Sequence, residues 1–209
     1  MKTVKYLTIA FAALVLASCS SSRITSSWKA DQENGTVQTT QHFNKIVVVG
    51  LFENESRALR TQMEEQLVKD LKEEGFNAVS SFSLYGPKSF ENMKEEDVLK
   101  ELKKNGVEGV ITIGLVDKNK SRHFVYGSRY GGSFYNPYRP WGGYYYNPYR
   151  GHYETSTNFV FETNLYDVAE KKLIYSVQSQ SFSPSSINSM ADGYSRSIIK
   201  DLRKNNVLG

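Results

Sequence analysis

The apolar positions between residues 45 and 116 switch between two periods. Ile46–Leu51 (IVVVGL) is a continuous apolar, β-branched run, the pattern of a strand buried on both faces. Leu59, Met63, Leu67 and Leu71 then recur every four residues with Glu and Lys opposite, which predicts a helix. Ser56 can cap its start, and Gly75 can end it in the left-handed conformation. Residues 76–82 predict a second, shorter strand. Asn92 and Glu95 form a capping pair for the next helix. Val98, Leu99 and Leu102 are its buried stripe, and Gly106 closes it. Residues 107–116 (VEGVITIGLV) predict a third strand. Strands alternating with helices at this spacing favour a largely parallel sheet with right-handed crossovers.

After residue 116 the pattern changes. Residues 119–126, 154–167 and 171–182 predict long strands with no helix between them. Phe159, Phe161, Thr163 and Leu165 alternate with polar neighbours, as do Leu173, Tyr175 and Val177, and residues 167–172 supply a hairpin turn. A last helix begins near Ser185 or Ser186, with Ile187, Met190, Tyr194, Ile198 and Leu202 as its apolar stripe. Lys200, Arg203 and Lys204 suit the negative end of its dipole. The expected fold is α/β (α+β): a mixed β-sheet of five to six strands covered by about three helices. It occupies one domain over residues 43–207, with a long Tyr/Gly-rich hairpin insert at 127–152.

Ahead of that domain, Lys2 and Lys5 precede an apolar run over residues 6–17, too short for a spanning helix, which needs about 20 residues. Leu16-Ala17-Ser18-Cys19 follows, and Cys19 is the single cysteine of the chain. The tetrapeptide resembles the lipobox of signal-peptidase-II substrates: an aliphatic residue, two small residues, then Cys. That resemblance implies a signal peptide at 1–18, a diacylglyceryl thioether on Cys19, cleavage before it, and acylation (palmitate, for instance) of the new amino end. Asp after the Cys often marks inner-membrane retention in this class. Ser20 stands there instead, and no acidic stretch of the surface-export kind follows. The expected location is lipid-anchored in the outer membrane, on its periplasmic face. Residues 19–42 are rich in Ser, Thr and Gln and read as a flexible tether. With Cys19 consumed, no disulfide can form within the chain, so stability must come from the core.

Composition excludes some partners. The formal net charge is +4, and losing Lys2 and Lys5 with the signal leaves a balance too small to suggest nucleic acid. The charge is uneven, however. Between Lys118 and Tyr153 lie Lys118, Lys120, Arg122, Arg129, Arg139 and Arg150, with no Asp or Glu. A basic insert on an acidic body points to an anionic partner, although arginines stacking on neighbouring tyrosines would give the same composition. Residues 130–139 (YGGSFYNPYR) and 141–150 (WGGYYYNPYR) are an internal repeat joined by Pro140. Gly-Gly and Asn-Pro mark turns, and loops of this length are usually functional or disordered. The candidate contact residues are Tyr130, Tyr135, Tyr138, Arg139, Trp141, Tyr145, Tyr146, Tyr149 and Arg150. Their faces and charges suit an envelope protein, a glycan or an anionic lipid headgroup. The bland alternative is a low-complexity loop whose aromatics fold onto the sheet.

No catalytic constellation is legible, and no cofactor or metal is expected. His123 and His152 flank the insert, and paired strands would bring them together, with Asp117 and Glu154 the only candidates for a third ligand. His42 stands apart. Gly193-Tyr194-Ser195-Arg196-Ser197 lacks the second Gly of a nucleophile elbow and lies in a predicted helix. Gly50 opens no phosphate loop. Glu64, Glu65, Glu73, Glu74, Glu95, Glu96 and Asp97 read as solvated helix faces.

Taken in order, the chain has a lipobox, a polar tether and the IVVVG strand. A helix with Arg57 and Met63-Glu64 follows, then Gly75-Phe76, Gly106-Val107-Glu108-Gly109-Val110, an aromatic stretch, Leu165-Tyr166-Asp167 and a terminal helix. This order resembles a group of uncharacterised Gram-negative lipoproteins. Their domain is similar to the N-terminal domain of the Tol translocation protein and to the periplasmic domain of the curli-secretion lipoprotein. The resemblance spans residues 43–207. It implies a mixed sheet covered by helices and an envelope role, and it carries no active-site residues. The expected function is a non-enzymatic, membrane-anchored accessory or binding component acting through the aromatic hairpin. The alternative is an oligomeric secretion-pore subunit, against which the prolines and Gly-Gly pairs of 131–151 stand, because they break the alternation a membrane strand needs. The lipobox makes a direct prediction: Cys19→Ala abolishes incorporation of labelled palmitate. Label retained in the variant would refute the anchor.

Overall fold

In the computed structural model, residues 22–30, 42–52, 57–87, 90, 93–125 and 152–208 are described, with backbone alone at 123–125 and 152–154. Six strands form one mixed sheet in the order β1-β6-β5-β4-β2-β3. They are β1 (Ser22–Lys29), β2 (Ile46–Leu51), β3 (Ala78–Ser80), β4 (Gly109–Val125), β5 (His152–Asp167) and β6 (Lys172–Phe182). Four helices accompany them among the described residues: α1 (Arg57–Glu73), α2 (Ser81–Tyr85), α3 (Glu95–Lys104) and α4 (Ile187–Lys204). The mixed α+β architecture read from the sequence is the one observed.

The sheet has two halves with different burial. β3, β2 and β4 are parallel, and β2 is buried over its first five residues. Helices cover this half on both faces. α1 and α4 pack Leu59, Met63, Leu67, Leu71, Tyr194, Ile198 and Leu202 against Ile46, Val48, Ile111 and Ile113. On the other face α3 lays Leu102, with Val98 and Leu99 half-buried, against Val47, Val49 and Val107. β4, β5, β6 and β1 are antiparallel and bury only the α1/α4 face. β6 alternates accordingly, with Tyr175, Val177, Ser179 and Ser181 buried. Its other face is polar: Gln178 and Asn164 donate to Glu162. Parallel strands need cover on both faces, and antiparallel ones tolerate water on one.

Several expectations need correction. Ser22–Lys29, inside the segment read as a tether, is edge strand β1, paired with β6. Backbone pairing holds it rather than an apolar stripe, because five of its eight residues are exposed. The alternation that would betray it is also broken by an irregularity between Ile24 and Ser26. Residues 76–82 contain strand only at Ala78–Ser80. Ser80 then caps α2, its hydroxyl accepting from Ser83 N at 3.0 Å. β4 does not stop at 116. A bulge between Leu115 and Asp117 inserts Val116, which is 57% exposed. It reverses the parity of the strand and thereby hides its continuity. α3 is capped by Lys94 without a side-chain bond and gains Glu95, Glu96 and Asp97 in its first turn, which suit the helix dipole. Asn92 and Ser56 lie outside the described residues. Ile187 is 39% exposed rather than core. Gly75 and Gly106 do close their helices at positive φ, as expected.

Glu64 is the largest departure. It is fully buried, not on a solvated face. Its Oε1 accepts from Gly50 N at 2.7 Å, Arg60 Nε at 3.1 Å and Ser81 Oγ at 3.0 Å, and its Oε2 accepts from Phe82 N at 3.1 Å. The carboxyl thus ties α1 to the end of β2 and to the start of α2. Gly50 is small for the same reason: a Cβ there would lie 2.8 Å from the Phe52 ring and 2.9 Å from Arg60 Cγ. Glu64→Ala removes the acceptor of the Arg60 Nε–H, the Ser81 hydroxyl and two backbone N–H groups. It is expected to cost about 3–5 kcal/mol, read from urea unfolding midpoints. Glu65→Ala on the exposed neighbour should stay within about 0.5 kcal/mol, and equal losses would contradict the role given to Glu64.

Candidate functional site

β4 and β5 outrun the rest of the sheet. β6 ends where Phe182 lies opposite Asn158, whereas β4 and β5 stay paired to Val125 opposite His152. Residues 120–125 and 152–157 therefore form a two-stranded ribbon. The bulge at Val116 places Lys118, Lys120 and Arg122 opposite Phe159, Thr157 and Thr155. This is the face that α1 and α4 cover lower down, where Phe161 and Leu165 are buried. All three bases are exposed. Lys118 Nζ sits 5.4 Å from the Phe159 ring centre, a cation–π contact. On the opposite face Ser121 and Ser156 share a 2.6 Å hydroxyl hydrogen bond. Where the ribbon leaves the body, Thr155, Thr157, Phe159, Ile187 and Met190 line a shallow groove of about 310 Å³.

Elsewhere the polar groups answer to structure. A groove of about 860 Å³ lies between α1 and α4. Its charges pair with one another, Arg203 with Glu74 and Arg196 with Asp192. Asp201 is a second buried carboxyl. Its Oδ2 accepts from Ser27 Oγ at 2.6 Å, Tyr175 Oη at 2.6 Å and Asn205 Nδ2 at 2.9 Å. Lys29 Nζ donates to the carbonyls of Asn205 and Asn206. Edge strand β1 is thereby bolted to the end of α4. Burial raises the Tyr175 phenol, and its hydrogen bond to Asp201 and that carboxyl's charge raise it further. Tyr194 is also raised by burial, against a lowering hydrogen bond with Thr163. Glu108 is lowered by the side chain and then the backbone N–H of Asn44, a bond that fixes the turn before β4.

The residues singled out from the sequence fall into two groups. Cys19 lies outside the described residues. So do Tyr130, Tyr135, Tyr138, Arg139, Trp141, Tyr145, Tyr146, Tyr149 and Arg150. What the structure fixes is where the insert leaves and re-enters the fold, at Val125 and His152. The register sets His123 opposite Glu154 and two positions from the pair formed by Val125 and His152, so the backbone does bring the two histidine positions together. Among the described residues no three His, Cys, Asp or Glu side chains gather as a metal site. Ser195 is buried inside α4, its hydroxyl 3.5 Å from the Gln66 carbonyl, so Gly193–Ser197 is no nucleophile elbow. Sequence reasoning missed the exposed Lys118-Lys120-Arg122 row as a face. The signal was present as three bases at period two, but the parity change at Val116 had to be known to say which face they share.

No family model matches the chain, and no curated protein matches it. Among solved structures, the chain is similar to PelC from Paraburkholderia phytofirmans, crystallised as a dodecamer. The TM-score is 0.46 and the identity 11%, over 85% of this chain and 94% of that one. It is also similar to the lipoprotein GNA1162 from Neisseria meningitidis, at a TM-score of 0.44 and 15% identity over 77% of this chain and 98% of that one. At such identities no residue role passes from either protein to this one.

The two raised tyrosines set a pH limit. Their neutral forms are favoured in the folded state, so their contribution is complete below the ordinary tyrosine value of 10.0. It is lost as pH rises above that value, where only the unfolded chain ionises freely. Unfolding midpoints are expected to be level from pH 7 to 9 and to fall above pH 10. Tyr175→Phe should weaken that fall and cost about 1 kcal/mol at neutral pH. An alkaline profile identical in the variant would contradict the assignment.

Proposed function

We propose that the chain is a non-enzymatic lipoprotein of the outer membrane, held on the periplasmic face by acylated Cys19. It acts as an accessory or binding component of the envelope through its aromatic insert. The lipobox supports the anchor. The observation that carries the rest is the ribbon: ordered pairing continues to Val125 and His152, so both repeats are attached to a paired β stalk beyond the sheet. A stalk bearing Tyr, Trp and Arg offers rigid aromatic faces and bidentate donors. The partner is an envelope protein, a glycan or an anionic headgroup. No cofactor enters this reading.

The pore-subunit alternative fits the ribbon less well. A membrane-crossing strand needs about 9–11 residues with an apolar outer face. The described part of the ribbon carries Lys120, Ser121, Arg122, Thr155, Ser156 and Thr157, alternately polar and basic. Pull-down from envelopes with the wild-type chain and with a 127–151 deletion tests the proposal. The wild type is expected to recover partners that the deletion loses, and identical recoveries would contradict the role of the insert. Light scattering behind size exclusion is expected to show a monomer; a stable ring would favour the pore.

A further inference from the structure

Topology gathers several features at one end of the sheet. Ser22 lies opposite Ser181, Ser181 opposite Phe159, and Phe159 opposite Lys118, so β1 enters level with the base of the ribbon. The ribbon extends onward by residues 120–125, about 20 Å at 3.3 Å per residue. β2 runs parallel to β4 and stops at Leu51 opposite Gly114, four residues short of Lys118. α3 leads directly into the start of β4, so its beginning, near Met93, lies at the ribbon end. α4 starts there as well, just after β6. Among the described residues the exposed large hydrophobic residues are Leu51, Met93, Val116, Ile187 and Trp28. Val116 and Ile187 lie nearest the ribbon, together with exposed Lys118, Lys120 and Arg122, whereas Leu51 is level with Gly114 and Trp28 with Thr112, both mid-sheet. Asp117 also lies near the ribbon and accepts the Lys118 N–H at 2.8 Å.

The anchor reaches the fold at this end too. Ser22 is buried and its carbonyl accepts from Ser197 Oγ at 3.2 Å, so the strand start is pinned to α4. Cys19 is three residues earlier, and three Cα–Cα steps span at most about 11 Å. A lipid on Cys19 therefore leaves the domain almost no freedom to leave the surface. We infer that the ribbon end rests on the leaflet that holds Cys19. Lys118, Lys120 and Arg122 lie at anionic phospholipid headgroups, and Val116 and Ile187 at the interface. Basic side chains are drawn to such a surface, and apolar ones beside them settle at the headgroup boundary. The inference rests on the acylated Cys19 of the proposed function.

Acylated Cys19 has no thiol, so one introduced cysteine is the single labelling site. Purified acylated protein carrying Lys120→Cys, Ile187→Cys or Glu170→Cys is labelled with a fluorophore. Each is placed on vesicles of phosphatidylethanolamine and phosphatidylglycerol with brominated acyl chains. Glu170 marks the far end, in the turn between β5 and β6. Quenching is expected at 120 and 187 and not at 170. Equal quenching at all three sites overturns the inference while the anchor stands, as does quenching at none on protein that co-floats with the vesicles. Cross-linking between copies through 120 or 187, in place of quenching, assigns this end to a second copy and also overturns it. Protein that carries no acyl chain and does not co-float overturns the proposed anchor instead.

Discussion

Backbone pairing between β4 and β5, from Gly109 opposite Asp167 to Val125 opposite His152, positions every other element. On one side β4 is the parallel partner of β2, which brings in β3 and α1. On the other side β5 carries β6, and β6 carries β1. The ladder joins a half-sheet that needs helices on both faces to one that tolerates water on one face. Past the body it continues as the ribbon. A single inserted residue, Val116, lets the strand serve both parts. Below it, Ile111 and Ile113 point to the α1/α4 core, and above it Lys118, Lys120 and Arg122 take that same face where the helices have ended.

Two buried carboxyls secure what the ladder does not reach. Glu64 fastens α1 to the end of β2, and Asp201 fastens β1 to α4. Both have several donors and both lie among structural partners, so their burial is accounted for by hydrogen bonding. The second bolt matters most for function. Without it, β1 would be a short polar edge strand, and the distance between anchor and domain would be set by a loose chain. With it, Ser22 is fixed in the sheet edge, three residues from the anchor position proposed at Cys19.

Much of this was legible in the sequence. The IVVVGL run, the four-residue spacing of Leu59 to Leu71, and the alternation around Phe161 and Tyr175 each bury one kind of face, and that periodicity announces the element. The missed parts share a cause. β1 is held by backbone pairing and by polar side chains, Ser27 and Lys29, which composition reads as linker. The β4 bulge breaks alternation at the one place where continuity matters. Glu64 has the residue type of a solvated helix face, and only the tertiary position of Gly50, Ser81 and Phe82 makes it a core residue. Of the candidate site, the lipobox and the aromatic repeats were legible as motifs. That the chain enters at Ser22 and leaves at Val125 on the same end of the sheet was not, because it depends on the register of Ser22 against Ser181 and on the length of the ribbon.

In the proposed reading, an anchor at Cys19 enters the fold at the end that carries the basic row, and this would fix the domain's orientation on its membrane. Under that proposal, electrostatic attraction and apolar contact would act on a surface held within about 11 Å, the limit set by three peptide steps. Amide hydrogen exchange of the acylated protein, free in detergent and bound to anionic vesicles, reports this orientation along the whole backbone. The account predicts slower exchange over 120–125 and 152–157 on vesicles, with the turns at 105–108 and 168–171 unchanged. Exchange that slows equally at both ends, or at neither, would contradict it.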